Sequence, residues 1–257
     1  MQRVSVGFLE AGMVAARNVH SAEGRLLVTK ETVLSEAMVA NIQKTSLGSI
    51  YVRNPLFQDI EAEEVVTEDN RRKAVMALKS AITAYQKTKV LDIQPLKKVL
   101  RELVVEIIRN RDSMIHQLDM RTYQDYIYAH SVNTCVLSVL IAVNLDYPEG
   151  KLTDLALGTM LHDVGMMMLP DALLMKMGNL TPEESKQVQQ HPEDGFNILR
   201  TVREIPITVA HIAYQHHERV DGKGYPRNLT ADKILEFAKV AAVADTFDAL
   251  VSDRPYR

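Results

Sequence analysis

The sequence predicts a mainly α-helical protein preceded by a small α+β module, and three observations lead there. From Arg3 to about Arg53, short apolar stretches alternate and are broken by Gly7, Gly12 and Gly24. Apolar residues then recur at helical spacing, and from Tyr123 onward nearly every segment keeps that period. Nearly every histidine falls in this last stretch, with only His20 and His116 outside it.

In the first region Val4 and Val6 alternate as a strand does, Met13 to Val19 and Arg25 to Thr29 read as two more strands, and Ser49 to Arg53 as a fourth. Ser35 to Thr45 can make one helix. No group of ligand-type side chains lies here, and His20, beside a turn, reads as a surface residue. This gives residues 1–66 as a small α+β regulatory module. Toward its end Asp59, Glu61, Glu63, Glu64, Glu68 and Asp69 form an acidic linker, which stays solvated and whose last members favour the start of the next helix through its dipole.

Residues 67–120 read as connecting helices. Ala74, Ala77, Ala81 and Tyr85 share one face. Leu96, Leu100, Leu103, Ile107, Met114 and Leu118 share the next, which Pro95 opens as a first-turn residue. This stripe needs a partner. Packing within the chain is the first expectation and a homodimer seam the second, because the heptad-like run is short and is interrupted by Asn110 and Gln117.

Residues 121–257 read as a helical domain. The helix of His130 continues through the apolar run to Leu145, too short and too polar at its start for a membrane. The next helix ends at His162 and Asp163 and stops near Gly165. Pro170 begins a short element, and Thr181, Pro182 and Glu184 make a helix start with a capping residue, a first-turn proline and an acid three residues on. His191, just before Pro192, is held at an element boundary. Ile207 to His217 is helical, Glu218 to Thr230 a loop, and a final helix runs from about Ala231 to Val251 and carries Asp245.

A chain of 257 residues, 46% hydrophobic and 25% charged, buries a sizeable core and is not disordered. A formal net charge of −3 argues against binding a nucleic-acid polymer, although a local basic patch can still hold a small phosphate ligand. The single cysteine, Cys135, excludes an internal disulfide and sits in an apolar run as a buried thiol. With no signal peptide and no run of about 18 apolar residues, the expected setting is cytoplasmic, without a membrane span.

The chemistry concentrates in His130, His162, Asp163, His191, His216, His217 and Asp245, all at or near predicted helix ends. Taken singly, each histidine is more often a satisfied core or surface residue; together they make a metal centre. A natural division puts His130, His162, Asp163 and Asp245 on one ion and His191, His216 and His217 on another, with the Asp163 carboxylate as the bridge. Two ions about 3.5 to 4 Å apart hold a hydroxide between them as nucleophile and stabilise in-line displacement at phosphorus. Mixed imidazole and carboxylate ligands suit iron, manganese, nickel or zinc.

The motifs His130-Ser131, His162-Asp163, Leu180-Thr181 with Glu183-Glu184, His191-Pro192, His216-His217-Glu218-Arg219, Asp221-Gly222-Lys223-Gly224-Tyr225-Pro226 and Asp253-Arg254-Pro255-Tyr256-Arg257 follow one another in a fixed order. From about Tyr123 to Arg257 the chain resembles the HD-GYP phosphodiesterases of the HD superfamily. The amino-terminal module is similar to one often found before that domain. The resemblance implies a helical bundle around a binuclear metal centre that hydrolyses the bacterial second messenger cyclic di-GMP to pGpG, and often on to GMP. It implies His162 and the bridging Asp163 as catalytic residues, with iron or manganese as the favoured metals. Gly222, Gly224, Tyr225 and Pro226 would flank the substrate and offer a surface to other signalling proteins, against the plain alternative of a turn. Arg254 and Arg257 would contact substrate phosphate, against the alternative of a solvated chain end.

Three departures from the family pattern stand out. Met166 occupies the position of a usual lysine and cannot neutralise phosphate charge, which raises a second reading: a weakened module that binds metal or nucleotide and signals through protein contacts. Tyr126 stands where some members carry a glutamate for a third metal, so two ions are expected. Family domains also continue with further helices past the position of Arg257, which leads to the expectation of a truncated bundle.

Overall fold

The computed structural model describes residues 2–21, 26–45, 47–54, 65–113, 123–174, 176 and 178–252. The chain divides into two compact units, one of residues 1–63 with 120–122, the other holding residues 64–119 and 123–257. Gly24, Arg25, the acidic positions from Asp59 to Glu64, Met114, His116, Gln117, Leu118, Asp253, Arg254 and Arg257 lie outside the described residues.

In the first unit β1 (Gln2–Ser5) pairs antiparallel with β4 (Ser49–Val52), setting Val4 opposite Ile50. A second pair joins β2 (Val19–His20) to β3 (Leu26–Val28). The α1 helix (Glu36–Gln43) starts where the Ser35 hydroxyl accepts the Met38 amide at 3.3 Å. Val6, Leu9, Ala15, Val28, Leu34, Ile42, Ile50 and Val52 pack into one core. Two strand expectations are corrected. Val6 leaves the strand for a 3-10 turn (Val6–Phe8), and between Met13 and Val19 only Val14 and Ala15 pair, as isolated bridges to Val33 and Val52. Gly12, at φ 92°, turns the chain just ahead of that segment in a backbone region few side chains tolerate.

The second unit is helical: α2 (Glu68–Thr88), α3 (Gln94–Arg109), α4 (Tyr123–Asn144), α5 (Glu149–Met160), α6 (Asp171–Leu174), α7 (Pro182–Val188), α8 (His191–Leu199), α9 (Ile207–Gln215) and α10 (Glu236–Val251). The centre is α4, with α5 and α10 packed along it and α2 and α3 also against it. By length and composition Tyr126–Asn144 can cross a membrane, which corrects the expectation that it is too short. Most of it is buried inside the unit, so neighbouring helices cover its apolar surface. Cys135 is buried there, its Sγ 3.4 Å from the Ala156 carbonyl oxygen, and burial pushes its thiol up to about 12.

Leu96, Leu100, Leu103 and Ile107 of α3 are fully buried within this unit. On α2 the inward face centres on Ala74, Val75, Leu78 and Ile82, while Ala77, Ala81 and Tyr85 flank it half-buried, because the larger aliphatics remove more apolar surface from water than alanine does. The start of α7 is a full capping box: the Thr181 hydroxyl accepts from the Glu184 amide and the Glu184 carboxylate accepts from the Thr181 amide. The last helix begins at Glu236, later than Ala231, where the Gln215 side-chain oxygen takes the Leu235 amide at 2.8 Å.

The seven candidate ligands converge, and the expectation of helix ends is corrected for two of them: His130 and Asp245 lie within α4 and α10, and the other five lie at or beyond helix ends. His130 sits on α4, His162 and Asp163 on the turn after α5, His191 opens α8, His216 and His217 follow α9, and Asp245 lies in α10. One close approach makes this possible: a Cβ on Gly165 would collide with the His191 carbonyl oxygen, so the His-Asp turn reaches the start of α8 only with glycine there.

Candidate metal centre

The seven side chains singled out from the sequence come together as two groups, each with its ligand atoms within 4.8 Å of one another: Asp163, His191, His216 and His217 in one, and His130, His162 and Asp245 in the other. Asp163 lies between them. Its Oδ1 is 3.3 Å from His191 Nε2 and 3.5 Å from His216 Nε2, and its Oδ2 is 3.4 Å from His162 Nε2 and 3.9 Å from His130 Nε2. One carboxylate oxygen therefore faces each group. Asp245 spans the gap less tightly, with Oδ1 2.9 Å from His130 Nε2 and Oδ2 4.0 Å from His217 Nδ1.

Hydrogen bonds behind the rings decide what they present inward. His162, His191 and His216 each point Nδ1 at the carbonyl oxygen three residues earlier, Thr159 at 2.7 Å, Val188 at 2.7 Å and Ala213 at 2.8 Å. A carbonyl only accepts, so Nδ1 carries a proton and each ring turns its Nε2 to the centre. These Nε2 atoms crowd around Asp163. His191 and His216 face each other with Nε2 atoms 3.2 Å apart, beside a carboxylate oxygen. The Nε2 of His162, fully buried, makes no hydrogen bond among the described residues. A buried ring nitrogen left without a partner is costly unless a cation meets it, so the donor set of imidazoles and carboxylates fits a divalent metal of the borderline class.

The fourth ring is held differently. Asp248 of α10 takes His130 Nδ1 at 2.7 Å through Oδ2, and its Oδ1 accepts from Asn133 Nδ2 at 3.0 Å. Tyr126 stacks on the other side of His130, with ring centres 5.7 Å apart and planes 11° from parallel, so an aromatic face lies where a third-metal carboxylate was considered.

Electrostatics follow the same plan. Burial disfavours charge on His130, but Asp245 and Asp248 on its two nitrogens outweigh it and raise the ring to about 10. Burial would lift Asp163, yet His162, then His191 and His216, hold its carboxyl well below the usual range. Asp245 is held low against burial by His130 and His162. Burial, then His216 and His191, keep His217 well below 6.5, and burial also lowers His162. For His216, Asp163 outweighs burial and the ring is raised. Two ionised carboxylates thus face one ring raised to about 10, His130, and two held low, His162 and His217.

The loop after α9 closes one side. Tyr225 stacks on His217 at 4.7 Å between ring centres, and its amide donates to the His217 carbonyl at 3.1 Å. Burial raises the Tyr225 hydroxyl, so it stays protonated. Gly224 packs against the backbone of His217 to Arg219, where a Cβ has no room, and Pro226 follows half-buried. Glu218, buried, accepts the Arg227 amide at 2.7 Å and the Leu229 amide at 2.8 Å, tying the loop down.

Sequence reasoning missed Asp248, Asn133 and Glu218. Asp248 had a signal, a second acid three residues after Asp245 on the same helical face. The partners of Asn133 and Glu218 had none in the local pattern.

An HD-domain family model matches residues 102–257. The chain is 34% identical over 167 residues to a cyclic di-GMP phosphodiesterase of Pseudomonas aeruginosa, covering 65% of this chain and 40% of that protein. It is 38% identical over 157 residues to a cyclic di-GMP phosphodiesterase of Thermotoga maritima, covering 61% and 41%. A 3'3'-cGAMP-specific phosphodiesterase of Vibrio cholerae is 36% identical over 132 residues, 51% of this chain and 28% of that protein. The chain thus spans about two fifths of the length of the first two relatives. In fold it is similar to Bd1817, an HDGYP protein from Bdellovibrio bacteriovorus, with a TM-score of 0.55 at 18% identity over 98% of this chain and 88% of that one.

Proposed function

The chain belongs to the HD-domain family, and from that premise we propose that it is a metal-dependent phosphodiesterase that opens cyclic di-GMP to pGpG and cleaves on to GMP. The observation that carries this reading is the single Asp163 carboxylate with one oxygen toward each group of imidazoles. His130, His162, Asp163 and Asp245 would hold one divalent ion, iron or manganese, and Asp163, His191, His216 and His217 a second, and such ions would supply Lewis acidity toward the phosphodiester and lower the pKa of a water.

The protein's own part is positional. Main-chain carbonyls fix three rings with Nε2 inward, Asp248 fixes the fourth, and burial keeps bulk water from the ligand atoms. The outer face of Tyr225, with Gly224 and Pro226, flanks the bound nucleotide, and Arg254 and Arg257 are assigned to its phosphates on the family pattern. The relatives' names cover two cyclic dinucleotides, cyclic di-GMP and 3'3'-cGAMP, so the substrate class is a cyclic dinucleotide with cyclic di-GMP first. The first unit has no ligand cluster among its described residues and is read as a regulatory module.

Purified protein supplied with manganese or iron and cyclic di-GMP, with 3'3'-cGAMP in parallel, is expected to yield linear dinucleotide by chromatography. Metal uptake with no product from either substrate overturns the hydrolase and favours the second reading, a module that binds without turnover, for which Met166 is the specific observation. Met166→Lys then raises turnover by roughly 10-fold if the missing cation is the limitation; an unchanged rate removes that explanation.

A further inference from the structure

Behind His130 runs a chain of buried polar side chains that crosses three helices. Asp248 on α10 holds His130 Nδ1 at 2.7 Å and accepts from Asn133 of α4 at 3.0 Å. The Asn133 Oδ1 accepts from Arg71 Nη1 of α2 at 3.1 Å, and Arg71 Nε reaches the Val66 carbonyl at 3.4 Å. All three side chains are buried, at 3%, 2% and 0% exposure for Arg71, Asn133 and Asp248. The direction of the chain is fixed, because turning the Asn133 amide over would set its NH2 against the guanidinium and its oxygen against the carboxylate. Asp248 has one oxygen on each neighbour. His162, His191 and His216 instead rest their Nδ1 atoms on main-chain oxygens three residues away.

We infer that Arg71, Asn133 and Asp248 form a positioning relay through which α2 sets the metal affinity of the His130, His162 and Asp245 group, leaving the His191, His216 and His217 group untouched. The partner on the far nitrogen of a metal-binding imidazole fixes ring orientation and raises its basicity, and removing such a partner costs about 10- to 100-fold in metal affinity. Arg71 acts two links further back, through the orientation of Asn133 and then Asp248. This inference rests on the metal reading above.

The test is manganese titration of the full chain against a competing chelator, with electron paramagnetic resonance to distinguish paired from single ions. Wild type is expected to bind two ions with a coupled spectrum. Arg71→Met weakens one ion by about 10-fold or more, leaves the other within about 2-fold, and at limiting manganese gives the signal of an isolated ion. Asn133→Ala, cutting the middle link, gives the same selective loss and serves if Arg71→Met does not fold. Arg71→Lys, which restores a donor to Asn133, recovers part of the affinity. Equal weakening of both ions means that Arg71 only supports the fold, and no change in either variant means that the relay does not exist; both overturn the inference while leaving the metal centre standing. Wild type that takes up no ion overturns the metal reading itself, and the relay with it.

Discussion

His130 differs from the other imidazoles of the centre in what holds it from behind. His191 and His216 rest on carbonyls of their own turns, Val188 and Ala213, so their orientation follows from where a helix begins or ends. His130 rests on Asp248, 118 residues away in the chain, and Asp248 rests in turn on Asn133. A ring anchored on its own backbone is right once the local turn has formed. A ring anchored on a distant side chain is right only once α4 and α10 have docked, and one substitution can displace it. The centre therefore sets three rings oriented by local geometry, His162, His191 and His216, beside one, His130, that depends on tertiary packing.

The bluntest way to break this contrast is Asp163→Ala, which removes the oxygen facing each group. Both ions should be lost by elemental analysis and activity should fall to background, by more than about 1000-fold, since the shared ligand and the charge that balances two cations go together; retained activity would mean the bridge is misassigned. Asp248→Asn sharpens the contrast. It should weaken metal at the His130 group by about 10- to 100-fold in a chelator competition while the His191 group holds its ion. A smaller effect concerns the metal-free protein. His130 is raised from 6.5 to about 10, so the folded state holds that proton more tightly than the unfolded chain does. The stabilisation is complete below pH 6.5 and is lost as pH climbs through about 10. His216 is raised and acts with the same sign, whereas His162 and His217 are lowered and titrate on the acid side. The thermal midpoint of metal-free protein should fall by on the order of 5 °C between pH 7 and 10, and by less in Asp248→Asn; an identical fall in the two proteins would remove Asp248 from the account.

Much of this was legible in the sequence because helix-end histidines and their motifs are local signals. His162 next to Asp163, His216 next to His217, and the Thr181 cap with Glu184 each declare themselves within a few residues. The β-strands were less legible. Met13 to Val19 has the composition of one strand but pairs only at Val14 and Ala15, by isolated bridges, and at Val19, where β2 begins, because a ladder needs a partner in register and composition does not specify one. The polar support was the least legible. Arg71 meets Asn133 across 62 positions, and Asp248, though three residues from a recognised ligand, shows its role only when α4 lies beside α10. On α2 the inward face was read from its alanines, while Leu78 and Ile82 define it by bulk.

The loop after α9 takes its shape from the Glu218 carboxylate gripping two main-chain amides, and a peptide N–H is the same whichever residue carries it. Lys223 is exposed along that loop, while the Arg227 guanidinium lies over the Tyr214 ring, 5.4 Å from its centre. A substitution of the exposed Lys223 therefore leaves the path of the loop in place, whereas loss of the Glu218 carboxylate would dissolve the frame.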